Sequence, residues 1–207
     1  MTRSIDFHLA SVGALETEQD VFTVPRGKAA TMKAKLLTGQ ACLKISVEEK
    51  GSLKLESESS GSSSLAIECV LVGPGSSVDI TNVCRALGKD AQRCSANITH
   101  SAPNTRSTVH SRGVAWDSAA VELSGLAKIE NSAPGSVSRV ECKALLLGET
   151  AKARADPVLE ILNNDVDCSH SASVREIEKE KIFYLQTRGL AYVEAQQLIA
   201  DGFLSVS

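Results

Sequence analysis

The sequence predicts a mainly β fold that ends in a small pair of α-helices. Three observations carry this. From residue 41 onward the chain breaks into short alternating runs separated by Gly, Ser, Asn and Pro. Between Leu65 and Ser136 these runs start roughly 12 to 16 residues apart, too close for βαβ crossovers, which need about 30 residues. Aromatic residues make up only 3% of a chain that is 43% hydrophobic, so the core must be filled by Val, Leu, Ile, Ala and Cys. That composition suits stacked parallel strands better than a globule built around large rings. Two architectures meet these conditions: an antiparallel sandwich joined by hairpins, or a solenoid whose coils stack in register. The strand region has no Asn-Gly or Asp-Gly hairpin turn, which tilts the balance toward the solenoid.

The elements follow in order. Residues 1–40 are hard to divide, with a strand and hairpin expected around Val21–Val24 and Ala29–Leu37. Strand runs are then expected at Cys42–Val47, Gly51–Leu55, Leu65–Val72, Ser77–Val83, Cys94–His100, Thr105–Val114, Ala120–Ile129, Ser136–Leu147 and Val158–Ile161. In "VELSGLAKI" (121–129) the odd positions Val121, Leu123, Gly125, Ala127 and Ile129 share one face. "GPGSS" (73–77) and "SAPGS" (132–136) make good corners. The polar stretch Glu56–Ser64, "ESESSGSSS", reads as a mobile loop or a solvated corner. After residue 173 the period changes. Ser173 and Glu176 form a possible capping box, Ile177, Ile182 and Leu185 follow at helical spacing, and Gly189 sits where a C-cap belongs. A second helix is expected over Val193–Asp201, with Ala195, Leu198 and Ile199 on one side and a stop at Gly202. The domain reading is a β core over 1–172 and a helical tail over 173–207.

Several function classes have no support. The net charge of −3 and the lack of a Lys/Arg cluster argue against nucleic acid. Neither the N-terminal segment nor "ALLLG" (144–148) is apolar over a length that would target or span a membrane, so a soluble, cytoplasmic protein is expected. The six cysteines form no CxxC pair and read mostly as small buried hydrophobes. Cys84, Cys94, His100 and His110 lie ten residues apart within each pair, unlike the compact spacings of structural zinc. Asp79, Glu122 and Glu141 read as solvent-facing. There is no Gly-rich phosphate loop, serine elbow or HExxH, so no enzyme activity is expected.

The C-terminal half carries P-x-L-E-I at 157–161, D-V-x-C-S-H at 165–170, F-Y-L-x-x-R-G at 183–189 and A-x-x-L-I-x-x-G-F at 195–203. With "RGVAWDSAAVELSGLAKI" and "KALLLGETAKARADP" upstream, these motifs resemble the end of the SufB/SufD scaffolds of iron–sulfur cluster assembly, SufD more closely. The clear match covers residues 112 to 204; residues 41–111 agree only in texture. The resemblance implies a right-handed parallel β-helix with a helical tail, in a short stand-alone form. It also implies a scaffold that works with a SufC-type ABC ATPase and forms a homodimer or pairs with a SufB-like protein. Its cargo would be iron or a transient iron–sulfur cluster.

Cys168 and His170 alternate with a strand's period and so share a face, a thiol and an imidazole suited to iron–sulfur chemistry. The histidine that helps form the nascent cluster in SufD-type proteins falls on His170. Glu160 in the preceding coil is expected beside the pair. The cluster-building cysteine of SufB-type proteins is Ala151 here, and Ser171 and Arg175 stand where SufD-like sequences carry glycines. Phe183, Tyr184 and Leu185 are consecutive, so a helix cannot turn all three the same way. In the resembled family this region, with Arg188 and Gly189, grips the ATPase, and Ala191 replaces the usual polar cap of the second helix. The alternative is a β-helical interaction module that has lost the cluster chemistry, as the alanine at 151 suggests.

Overall fold

The computed structural model describes residues 5–8, 16–18 and 21–205. The chain passes back and forth between two sheets. The first contains, in spatial order, β1 (Ile5–His8), β4 (Ala29–Leu36), β6 (Ser52–Ser60), β8 (Ser77–Ala86), β10 (Arg106–Ala115), β12 (Ser136–Leu146) and β14 (Val166–Glu176). The second contains β2 (Glu16–Glu18), β3 (Val21–Val24), β5 (Gly39–Val47), β7 (Ser63–Leu71), β9 (Ala91–His100), β11 (Ala120–Ile129) and β13 (Lys152–Ile161). Neighbours within a sheet are alternate strands of the chain and run parallel, so each coil supplies one strand to each sheet. This is the β-solenoid, and the sandwich alternative falls. Only β1 against β4 and β2 against β3 are antiparallel among the described strands. The expected hairpin over Val21–Leu37 does not form, because β3 and β4 belong to different sheets.

Stacked corners hold the coils in register. At one edge Gly27, Lys50, Gly75, Asn104 and Gly135 all have positive φ. Each donates its N–H to a carbonyl in the next coil: Glu49, Pro74, Pro103, Pro134 and Asp165, at 2.7 to 3.1 Å. Proline precedes the third turn residue at 74, 103 and 134, as a type II turn favours. "GPGSS" and "SAPGS" are therefore corners, and "APNT" is a third. Gly73 marks the tightest approach: a Cβ there would lie 1.8 Å from the Glu49 nitrogen in the coil below.

The interior is built in columns. Leu55, Ile80, Val109 and Val140 stack along one, and Leu65, Cys94 and Leu123 along another. Most polar interior residues are satisfied by interior neighbours, as burial favours, while the Ser63 hydroxyl and Gln92 Oε1 have no partner. The Ser57 hydroxyl donates to Asn82 Oδ1 at 2.6 Å, and Asn82 Nδ2 donates to the Ser111 hydroxyl at 3.1 Å. Fully buried His100 lies 2.7 Å from Thr105 Oγ1 and 2.8 Å from Ser107 Oγ, which continue to Ser136 and Ser138. The stretch Glu56–Ser64 is thus neither a loop nor a solvated corner. Glu56 and Glu58 face out and pair with Lys33, Lys54 and Lys35, while Ser57, Ser59 and Ser63 point inward, and only Gly61 and Ser62 make the turn. Four of the cysteines are buried, as expected, and burial pushes Cys69 up to about 12 and Cys142 to about 11.

The tail begins later than its sequence spacing implies. Strand β14 runs through Ser173 to Glu176, so that pair is no capping box; α1 spans Lys179–Thr187 and starts from Glu178. Helix α2 spans Tyr192–Leu204 and continues through Gly202. It packs Ala200 and Leu204, with Ile199 and Phe203, onto Val114, Leu145 and Leu147 on the outer face of the first sheet. Arg85 Nη1 to Asp201 at 2.8 Å and Gln196 Nε2 to the Leu147 carbonyl at 3.1 Å fix its position. Leu198 is exposed, against expectation; Ala195, Ala200 and Leu204 form the buried stripe. The first turn lacks a polar cap at Ala191, but Glu194 Oε2 accepts the Ala191 N–H at 2.8 Å.

Two stability outcomes follow from this packing. Gly73→Ala forces backbone apart and should lower stability by about 3 kcal/mol, whereas Gly202→Ala, in open space on a helix, should raise it by about 0.5–1 kcal/mol; denaturant unfolding compares them. Burial pushes His100 down to about 4 from its ordinary 6.5, so the unfolded chain binds this proton before the folded one does. The contribution of His100 is fully present above pH 6.5 and should fall by about 1.4 kcal/mol per pH unit toward pH 4. The difference in unfolding free energy between wild type and His100→Gln, followed across that range, should show this slope.

Candidate functional site

The two ends of the solenoid differ. At one end the reversed strands β1 and β2 border the stack. At the other, β13 and β14 have a neighbour on one side only, and Val158, Ile161, Leu162 and Val174 are exposed there. Interior columns that are sealed further back reach solvent at this last coil.

Cys168 and His170 lie at that open end. Cys168 is in register with Ser138, and His170 with Val140, both buried interior positions. The two side chains therefore occupy interior columns with no further coil to cover them. Their strand spacing puts the two Cα atoms about 6.6 Å apart. The start of β14 is pinned by Arg139, which donates to the Asp167 carboxylate at 2.5 Å and to its carbonyl at 2.8 Å.

One contact orients the histidine. His170 Nδ1 lies 2.9 Å from the Pro157 carbonyl of β13. A carbonyl only accepts, so Nδ1 is the donor and Nε2 is the nitrogen left to face a metal, the arrangement that orients metal-binding imidazoles. Burial pushes the Cys168 thiol up, against a hydrogen bond from the Ser138 backbone and the charge of Arg139. The site thus offers one oriented imidazole nitrogen and one thiol whose proton a metal would have to displace.

Glu160 is not brought to this pair. It is in register with Lys128 on the outer face of the second sheet and pairs with that lysine at 3.5 Å, while Pro157 and Leu159 face inward. Among the described residues no group of three or more His, Cys, Asp and Glu side chains could hold a metal ion. Cys84 and Cys94 do meet inside the core, where the hydrogen bond with Cys84, and then burial, push Cys94 well up. His100 is inside and His110 outside the same solenoid, so these four residues form no site. Ala151 packs against the core just after the corner at Gly148.

Residues on the outer face of the first sheet are more connected than their sequence suggests. Glu141 is half-buried and pairs with Arg112 at 2.6 Å, with Lys143, and with His110 at 3.4 Å. Burial opposes its charge, but the hydrogen bond from Lys143, the charges of Arg112 and Lys143 and the hydrogen bond with His110 outweigh it and hold the carboxyl below its usual range. Glu122 pairs with Arg93 at 2.7 Å. The signal for both was the matching period of opposite charges one coil apart.

In the tail, Ile182 is the buried residue of α1 and Leu185 is partly covered. Phe183 is 69% exposed and Tyr184 57%, and α2 adds exposed Tyr192, Val193 and Leu198. Arg188 stacks over the Tyr184 ring at 5.3 Å, and Gly189, at φ 95°, turns the chain between the helices. The chain's own β body leaves these rings uncovered.

A family model for the SUF system FeS cluster assembly SufBD core domain matches residues 41–203. Iron-sulfur cluster assembly SufBD family proteins of Staphylococcus saprophyticus, Staphylococcus epidermidis and Staphylococcus aureus are 32%, 31% and 31% identical over 136 residues. That stretch is 66% of this chain but only 29% of each relative, so the chain spans under a third of their length. With its stacked coils, its open last rung and a family match over most of its length, the chain belongs to the SufBD family of iron–sulfur cluster assembly.

Proposed function

We propose that this chain is a non-enzymatic scaffold of the SUF system, working in the cytoplasm. It would present an iron-binding pair at the open end of the solenoid and dock an ABC-type SufC ATPase through its helical tail. The observation that carries the cluster role is the hydrogen bond between His170 Nδ1 and the Pro157 carbonyl, which leaves Nε2 as a ligand on an uncovered face. Cys168 supplies a second donor on the same strand. Two donors do not complete a coordination sphere for iron. The remaining ligands would come from sulfide and from a second SufBD-type chain, either another copy or a SufB-like partner, seated against β13 and β14. Pairing of this kind also covers the bare strand edges, which otherwise invite non-specific association.

The tail supports the partner role. Exposed Phe183, Tyr184, Tyr192, Val193 and Leu198 on two short helices are the aromatic and aliphatic anchors that protein interfaces favour. Arg188, already stacked on Tyr184, adds a planar donor at its margin. No helix among the described residues is long and apolar enough to cross a membrane. A second reading, an interaction module without cluster chemistry, is favoured by Ala151, the position at which SufB-type relatives carry a thiolate.

Anaerobic reconstitution with iron(II) and sulfide tests the cluster role. Wild type should retain iron and its charge-transfer absorbance, and His170→Ala should lose both; equal iron in the two proteins returns the chain to the second reading. Because Cys168 must shed a proton, iron retention should rise with pH. Val174→Asp, at the open end, should convert a dimer to a monomer by light scattering. For the tail, Phe183→Asp should weaken binding of a purified SufC-type ATPase by about tenfold or more, measured by calorimetry, and leave iron retention unchanged.

A further inference from the structure

The two helices of the tail are fastened to the β body unequally. Helix α2 buries Ala195, Ala200 and Leu204, and two polar contacts tie it down: Arg85 Nη1 to Asp201 at 2.8 Å and Gln196 Nε2 to the Leu147 carbonyl at 3.1 Å. Helix α1, nine residues long, buries Ile182 alone. Among the described residues no hydrogen bond or ion pair joins α1 to a strand. Lys181 pairs with Glu178 at 2.9 Å and the Thr187 hydroxyl donates to the Tyr184 carbonyl at 2.6 Å, both within the tail.

The chain is loosely held at each end of α1 as well. The last bond to a strand before it runs from the Ile177 N–H to the Leu146 carbonyl at 3.1 Å, and Glu178 gives the first turn no side-chain cap. At the far end Gly189, at φ 95°, has open space where a Cβ would stand. Clefts flank the first of these joints, one of about 470 Å³ between α1 and the corner at Gly148 and one of about 390 Å³ between α2 and the end of β14. Unseating α1 therefore exposes one isoleucine, which corresponds to a factor of about ten to a hundred in population. Unseating α2 exposes three side chains and breaks both polar contacts. A nine-residue helix lifted from its seat does not hold its own hydrogen bonds, because isolated helices shorter than about 12 to 15 residues are marginal in water.

The geometry points to α1 as a separately opening element, which unseats and unwinds between Glu178 and Gly189 while α2 stays on the sheet. Its exposed Phe183 and Tyr184 then act as a handle: a partner that covers them shifts the equilibrium of α1 without dislodging α2. For the identity of that partner the inference rests on the docking role proposed above; the opening itself belongs to the free chain and is tested there.

Hydrogen–deuterium exchange of the whole chain without any partner, resolved by residue with NMR, decides it. Amides 183–187 should be protected by about tenfold to a hundredfold relative to an unstructured chain, and amides 196–204 by about tenfold more at least. Ile182→Ala should lower protection over 183–187 by about tenfold and leave 196–204 and the strands unchanged. Equal protection of the two helices, a loss in both when Ile182 is shortened, or no loss in α1 would each overturn the inference. None of these outcomes bears on ATPase binding, which Phe183→Asp tests separately.

Discussion

The register of coil on coil is the constraint from which the rest of this structure follows. Corner N–H groups donate to the next corner's carbonyls, and the sheets add a continuous parallel ladder on each side. Side chains are thereby forced into columns, each residue lying on its counterpart about 4.8 Å away. The constraint acts on strands and not on loop length. Register partners are 23 residues apart at Ala29 and Ser52 but 32 apart at Ala120 and Lys152. Extra residues are absorbed at the corners without disturbing the columns.

Column stacking explains how a core with so few aromatics tolerates polar residues. A serine or asparagine inside an ordinary core leaves an unmatched group, whereas here the next coil offers a like-sized partner at hydrogen-bonding distance. Ser57, Asn82 and Ser111 satisfy one another in this way, while His100 reaches across the interior to two hydroxyls, Thr105 and Ser107, that are themselves stacked on Ser136 and Ser138. The same logic on the outer faces turns charged residues into cross-coil pairs, such as Arg93 with Glu122 and Lys128 with Glu160. Most of these pairs are exposed and contribute little singly. Their effect is to favour one register over a slip by one coil.

Much of this was legible in the sequence. Alternation marked β7 to β12 closely, because apolar or small residues such as Ile67, Ile80, Ile98, Val109, Leu123 and Val140 recur on the inward period of two. It failed where the inward residues are small and polar. Glu56–Ser64 reads as low complexity because serine is hydrophilic, yet its period of two is the strand signal, and its serines fill interior columns. The start of the tail was misplaced for a related reason: Ser173 and Glu176 match a capping pattern, but β14 pairs with β12 as far as Leu146 and Glu176. Long-range register outweighs a local cap. The candidate pair Cys168 and His170 stood out through its spacing and through resemblance. Neither signal gives a coil's rotation, so Glu160 was placed beside them although its strand turns it to the opposite side.

The position of the site follows from how a solenoid ends. Every interior column needs a cover at each terminus, and where none is supplied its last residues meet solvent. On most of the last coil that exposes Val174, Ile161 and similar apolar groups, a liability in isolation. At two adjacent positions the column instead ends in a thiol and an imidazole. The imidazole cannot turn freely, because the Pro157 carbonyl on the facing sheet holds one nitrogen. A rigid pair of donors on an uncovered edge is incomplete by geometry, since two donors on one strand cannot enclose a metal. On the proposed reading, in which iron is held there, a second chain that seals the edge would also bring missing ligands, so that covering the apolar end and completing the site would be a single binding event.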